Sequence, residues 1–210
     1  MTMQDERKTH REKIYRDKSP VEVSWYQAAP TLSRELILAS SVERGAPLID
    51  IGGGASTLVD HLLDDGYSAV SVLDISAQAL AHAQQRLGER AQQVRWIEAD
   101  ITCFDPTESY HLWHDRAVFH FLTDPVDRMR YRAVLERALE PGGQLIIGTF
   151  APGGPEQCSG LPIVQYDVAR MQAELGSGFT LLETRAETHH TPAGKDQLFN
   201  FFRWVRRVHA

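Results

Sequence analysis

The stretch Leu48-Ile49-Asp50-Ile51-Gly52-Gly53-Gly54-Ala55-Ser56-Thr57-Leu58 decides the reading of this chain. An apolar run from Pro47 to Ile51 turns at three consecutive glycines, and a helical pattern resumes with Leu58, Leu62 and Leu63 on one face. Strand, tight turn and helix in that order form the opening unit of a βαβ fold. Glycine serves where φ must be positive, or where backbone must approach a ligand with no Cβ in the way. The N–H groups that open the next helix then face whatever binds there.

Residue types around the turn separate two cofactor classes. A dinucleotide turn reads G-x-G-x-x-G, and its last glycine lets helix and strand pack closely around a pyrophosphate. Here Thr57 stands at that third position, and Asp50 lies two residues ahead of Gly52. A carboxylate there repels a pyrophosphate and attracts the ammonium of an amino-acid moiety, directly or through water. The arrangement Asp50-x-Gly52-x-Gly54 resembles the first motif of class I S-adenosylmethionine (SAM)-dependent methyltransferases, with Ser56 where many members carry another glycine. A glycine turn with no ligand is the competing reading.

At 210 residues, 42% hydrophobic and 24% charged, the chain suits one domain with a substantial core. A net charge of −6 argues against a broad nucleic-acid-binding surface. No run is long and apolar enough to span a bilayer, so no membrane partner is expected. Cys103 and Cys158 are too few for a disulfide scaffold, which makes a reducing, cytoplasmic setting the default expectation. Residues 1–30 read as an N-terminal lid or mobile segment ahead of a domain over 31–210. The lead-in from Met1 to Ser19 offers only Ile14 and Tyr15 for packing, which predicts a frayed or mobile helix. Trp25 and Tyr26 suit either a plug at the end of a sheet or a lid over a ligand, and an aromatic face favours a sulfonium or ammonium cation. Thr31 or Ser33 is placed to cap the helix that follows.

Further along, Tyr67 to Ile75 is rich in β-formers and ends at Asp74, the spacing at which an acid takes a ribose hydroxyl pair. Ile75 is then placed against an adenine ring. Ser76 caps a helix that Gly88 stops. A third strand, Val94 to Ile97, leads to Ala99-Asp100-Ile101, which resembles the family position where an acid accepts the adenine amine. Tyr110 to His114 reads as a fourth strand, with Asp115, Arg116 and His120 at its carboxyl end, the edge at which open parallel sheets bind ligands. His114 or Asp115 is a candidate base and Arg116 a candidate anion binder; an Asp115–Arg116 network that only shapes the loop is the alternative. His111 and His114 point to opposite strand faces, so no metal is expected.

The run Leu139-Glu140-Pro141-Gly142-Gly143-Gln144-Leu145-Ile146-Ile147 resembles the family's entry into its fifth strand. Ala151 to Gln165 is a long Pro- and Gly-rich loop at the ligand edge, suited to a lid or substrate loop. Cys158 within it reads as a packed or exposed thiol. Phe179 to Glu187 and Gln197 to Val208 form a closing antiparallel pair. Together these pieces resemble a class I SAM-dependent methyltransferase of small, single-domain bacterial type. The resemblance implies an α/β, Rossmann-like seven-stranded sheet, mostly parallel with an antiparallel C-terminal hairpin and helices on both faces. It implies SAM binding by Asp50, Gly52, Gly53, Gly54, Asp74, Ile75, Asp100 and Ile101. Tyr26, His114, Asp115, Arg116 and His120 fall on the acceptor side. A small-molecule acceptor is expected, with a protein acceptor as the alternative and no nucleic acid. Competing functions are an NAD(P)-dependent oxidoreductase on a Rossmann-like fold and a non-catalytic SAM-binding module.

Overall fold

A computed structural model describes residues 3–208 of the chain. Five short apolar runs become parallel strands: β1 (Leu48–Ile51), β2 (Val70–Asp74), β3 (Val94–Glu98), β4 (Tyr110–Arg116) and β5 (Leu139–Phe150). A two-residue ladder, β6 (Gln157–Cys158) with β7 (Leu161–Pro162), folds the Pro- and Gly-rich loop back on itself. The long hairpin β8 (Phe179–His190) and β9 (Asp196–Arg206) completes a seven-stranded sheet in the order β3-β2-β1-β4-β5-β9-β8. Only β9 runs against the other strands of that sheet. The strand order reverses between β1 and β4, and such a switch point opens a crevice at the carboxyl ends of the strands.

Helices α1 (Met3–Asp17), α2 (Thr31–Ala39), α3 (Leu58–Asp64), α4 (Ala77–Leu87), α5 (Pro125–Ala138) and α6 (Val168–Leu175) surround the sheet. Strand periodicity sorts the core into two halves. Ile49, Ile51, Trp113 and Ile147 pack with Tyr131 and Leu135 of α5 and Met171 of α6. Leu48, Val72, Leu112 and Ile146 pack with Leu36 of α2, Val59 of α3 and Leu80 of α4. Local signals mark the helix ends: the Ser76 hydroxyl accepts the Ala79 N–H at the start of α4, and Gly88 ends that helix at φ 59°. Asp124 and Asp167 cap α5 and α6 through their carboxylates.

Strand β5 begins at Leu139, ahead of Pro141-Gly142-Gly143, and pairs there with Tyr110 before a register shift. One local reading changes. Neither Thr31 nor Ser33 caps α2, whose N-cap is Pro30 with no side-chain cap. Ser33 lies on the apolar face of α2 beside Leu36 and Ile37, and that face turns it towards the sheet. Helix α1 has little apolar surface and is instead docked by charge. The Glu12 carboxylate accepts the Ala77 N–H at the start of α4, and Lys8 pairs with Glu98 at the end of β3.

Candidate active site

The glycine turn is shaped first by its own neighbours. Gly52 holds φ 69°, and a Cβ there would lie 2.1 Å from a Val118 methyl. At Gly53 a Cβ would fall 2.2 Å from Asp50 Oδ2, and at Gly54 2.5 Å from Asp74 Oδ2. Glycine is thus required because two carboxylates fill the space that side chains would take. Asp74 accepts hydrogen bonds from the Gly54 N–H at 3.1 Å and the Ser76 N–H at 2.9 Å. Burial outweighs those bonds and pushes its carboxyl up to about 6. Asp50 Oδ2 is buried with no hydrogen-bond partner.

The end of β4 carries two separate networks. Asp50 and His114 are register partners on adjacent parallel strands, so their side chains share a face. His114 Nδ1 lies 2.7 Å from Asp50 Oδ1, and Nε2 lies 2.9 Å from Ser33 Oγ. With Nδ1–H donating to the carboxylate, a neutral imidazole leaves Nε2 to accept the Ser33 hydroxyl. One residue later the strand turns its other face. Asp115 accepts from Tyr131 Oη–H at 2.7 Å and from the backbone N–H groups of Val118 and Phe119. Tyr131 in turn accepts the Trp113 indole N–H at 2.9 Å. Burial pushes Asp115 up to about 6, against those same hydrogen bonds.

Two adjoining cavities open along this edge. The larger, about 260 Å³, is lined by Asp74, Ile75, Asp100 and Ile101 from the strand ends and by Arg7, Arg11 and Tyr15 from α1. Its other walls are Trp25, Arg116, Phe121, Cys158 and Leu161. The smaller, about 50 Å³, lies between Asp50, Gly53, His114, Ser33 and Tyr26. Tyr15, Trp25, Ile51, Gly52 and Arg116 border both. The Ser33–His114–Asp50 chain has the order of a hydrolase relay, but Ser33 is only 1% exposed.

Helix α1 forms one wall of the larger cavity. Arg7 lies 3.1 Å from Asp100 Oδ2 and 2.8 Å from Asp127 Oδ2. The other Asp100 oxygen accepts from the Thr102 N–H and hydroxyl. Arg11 is sandwiched between the rings of Trp25 and Phe121, at 4.9 and 4.3 Å. Trp25 donates its indole N–H to Tyr15 Oη, and burial raises the Tyr15 hydroxyl pKa, so it stays a neutral phenol.

A family model described as a methyltransferase domain matches residues 48–143, from β1 to the start of β5. Over that stretch the chain is similar to a methyltransferase domain. Solved structures share its fold across almost the whole chain. One, from work on the conversion of a disulfide bond into a thioacetal group in echinomycin biosynthesis, aligns with TM-score 0.79 at 18% identity, over 97% of this chain and 94% of that one. A SAM-dependent methyltransferase from Anabaena variabilis aligns with TM-score 0.77 at 14% identity, over 99% and 96%. The glycopeptide N-methyltransferase MtfA, solved with S-adenosylhomocysteine, aligns with TM-score 0.67 at 16% identity, over 86% and 91%. No curated protein matches the sequence.

The two cavities collect Asp50, Gly52, Gly53, Asp74, Ile75, Asp100 and Ile101, together with His114, Arg116 and Tyr26. Gly54 sits behind the wall, against Asp74. Asp115 and His120 are elsewhere. Asp115 faces α5, and His120 is fully buried with its Nδ1 accepting the Phe150 N–H. Burial, then Arg11 and Arg116, push the His120 imidazole down to about 3, so it stays uncharged. Sequence reasoning missed Arg7, Arg11, Tyr15 and Ser33. For Ser33 a signal was present, a polar residue on an apolar helical face. Among the described residues no helix is long and apolar enough to cross a membrane, and no three His, Cys, Asp or Glu side chains converge as a metal set.

Proposed function

We propose that this domain transfers a methyl group from SAM to a small-molecule acceptor, with the cofactor lying across both cavities. The observation that carries this reading is the unpartnered, buried Asp50 Oδ2 beside the glycine turn. A buried anionic oxygen with no donor needs one, and the cofactor's ammonium is a donor of matching charge. Asp74 retains lone pairs beyond its two backbone bonds and accepts the ribose hydroxyls. Ile75 and Ile101 flank the adenine, and Asp100 accepts its amine while sharing one oxygen with Arg7. Bound SAM supplies an electrophilic methyl group on a cationic sulfur.

The chain's own groups position and exclude. Trp25 and Tyr15 stand where the two cavities join and present aromatic surface to a cation. Helix α1 closes over the adenosine end as a lid, held by the Arg7 pairs with Asp100 and Asp127, and keeps water from the reacting atoms. The Ser33–His114–Asp50 chain fixes the Asp50 carboxylate in place. Catalysis then rests on holding the partners at attack distance, and a base is required only when the acceptor must lose a proton.

Calorimetry with S-adenosylhomocysteine tests the reading. Wild-type protein is expected to bind it in the micromolar range, and Asp74→Ala to weaken it by about 100-fold, equal to about 2.8 kcal/mol. Undiminished affinity in that variant rejects the assignment of Asp74 to the ribose.

A further inference from the structure

We propose that the end of the larger cavity bounded by Arg11 and Arg116 is an anion-recognising acceptor subsite, fitted to a small carboxylate with a flat apolar body. This rests on the methyltransferase reading above and adds to it the chemical class of the acceptor. Arg116 has a side chain only 11% exposed. Its Nη1 donates to the Trp25 carbonyl at 3.0 Å, while Nε and Nη2 are buried without a hydrogen-bond partner. Glu187 stands 3.9 Å from Nη2, too far for a hydrogen bond. Burial brings the Arg116 guanidinium down to about 10, so it remains a cation at neutral pH. A desolvated cation with two idle donors is unfavourable until an anion completes it.

Arg11 approaches from α1 and has no ion pair among the described residues; its contacts are the Trp25 and Phe121 rings. Arg7, one turn earlier on the same helix, is paired with Asp100 and Asp127. Arg11 and Arg116 line the same cavity. Burial lifts the Cys158 thiol, and both Arg11 and Arg116 pull it the other way. Phe121, Leu161, Pro162 and the Trp25 ring give the same cavity apolar wall. Asp74, Asp100 and Asp127 also line it and disfavour an anion placed beside them. A carboxylate therefore has one favourable orientation, head towards the arginines and body against the rings, where a planar guanidinium can bind it in a two-pronged fork.

A carboxylate at Arg116 has two sources, the acceptor or the cofactor's own amino-acid tail, because Arg116 also borders the smaller cavity. Arg11 borders only the larger one. The test is calorimetry on protein saturated with S-adenosylhomocysteine, with benzoate, benzamide and benzylamine as probes. Benzoate is expected to bind at least about tenfold tighter than either neutral or cationic analogue. Arg11→Gln and Arg116→Lys should each weaken benzoate by about tenfold and leave S-adenosylhomocysteine within about threefold. Equal binding of benzoate and benzamide overturns the proposal, as does unchanged benzoate affinity in Arg11→Gln. If Arg116→Lys instead weakens S-adenosylhomocysteine and spares benzoate, Arg116 belongs to the cofactor and the paired subsite is wrong. Thermal melts establish that the variants fold; should Arg116→Lys not fold, Arg11→Gln decides alone. Failure of wild-type protein to bind S-adenosylhomocysteine is a separate result, and it removes the methyltransferase reading together with this one.

Discussion

His114 and Asp115 are neighbours in sequence and strangers in space. His114 faces α2, where it joins Asp50 to Ser33 beside the smaller cavity. Asp115 faces α5, where Tyr131 and two backbone N–H groups use its oxygens away from either cavity. Both sites are buried, and both place a carboxylate at the end of a strand. They differ in what is left over. Every Asp115 oxygen has a partner, whereas Asp50 keeps one oxygen with none. A satisfied buried carboxylate orders the loop that follows it, and an unsatisfied one waits for a ligand.

That contrast breaks most visibly at Asp50. Asp50→Ala is expected to lower S-adenosylhomocysteine affinity by about 100-fold, read by calorimetry, because the tail ammonium loses its charged acceptor. A loss below about threefold would make Asp50 a structural acid like Asp115. The opposite face should respond in the opposite currency. Tyr131→Phe strands Asp115 Oδ2 and the Trp113 indole N–H, and should lower stability by about 2 kcal/mol in chemical denaturation. Its affinity for S-adenosylhomocysteine should stay within about twofold. Ser33→Ala sharpens the comparison further. It removes one hydrogen bond from His114, for about 1 kcal/mol of stability and a few-fold change in affinity.

A further effect is expected from pH. The buried Asp74 carboxyl is pushed up to about 6, above its value of about 3.9 in an unfolded chain. A raised pKa favours the folded, ligand-free protein at low pH, and that contribution is lost as pH rises through about 6. Ligand binding runs the other way, since the ionised form is the better acceptor for ribose hydroxyls. Affinity for S-adenosylhomocysteine should therefore fall severalfold between pH 7 and pH 5, and the slope should flatten in Asp74→Asn. An equal slope in wild type and variant assigns the pH dependence to another group.

Much of this was legible in the sequence because it is local. The glycine turn, the cap at Ser76 and the acids at the ends of β1, β2 and β3 all follow from short-range patterns. The roles of Asp115 and Ser33 were not legible for the same reason. Asp115 looked like a candidate base because its strand ends at the ligand edge, and only the strand register shows it turned towards α5. Ser33 looked like a cap because its helix begins nearby, yet helical phase turns it to His114. Arg7 and Arg11 sit in a lead-in with almost no apolar residues, where composition predicts fraying. Their anchoring to Asp100, Asp127 and the aromatic rings comes from partners far along the chain.

The central claim is that an acid placed ahead of the glycine turn selects an amino-acid tail over a diphosphate. Parallel titrations of the wild-type protein with S-adenosylhomocysteine and with NADH test it most directly. The account predicts saturable micromolar binding of the first and none of the second. Tight NADH binding with no response to S-adenosylhomocysteine would contradict it.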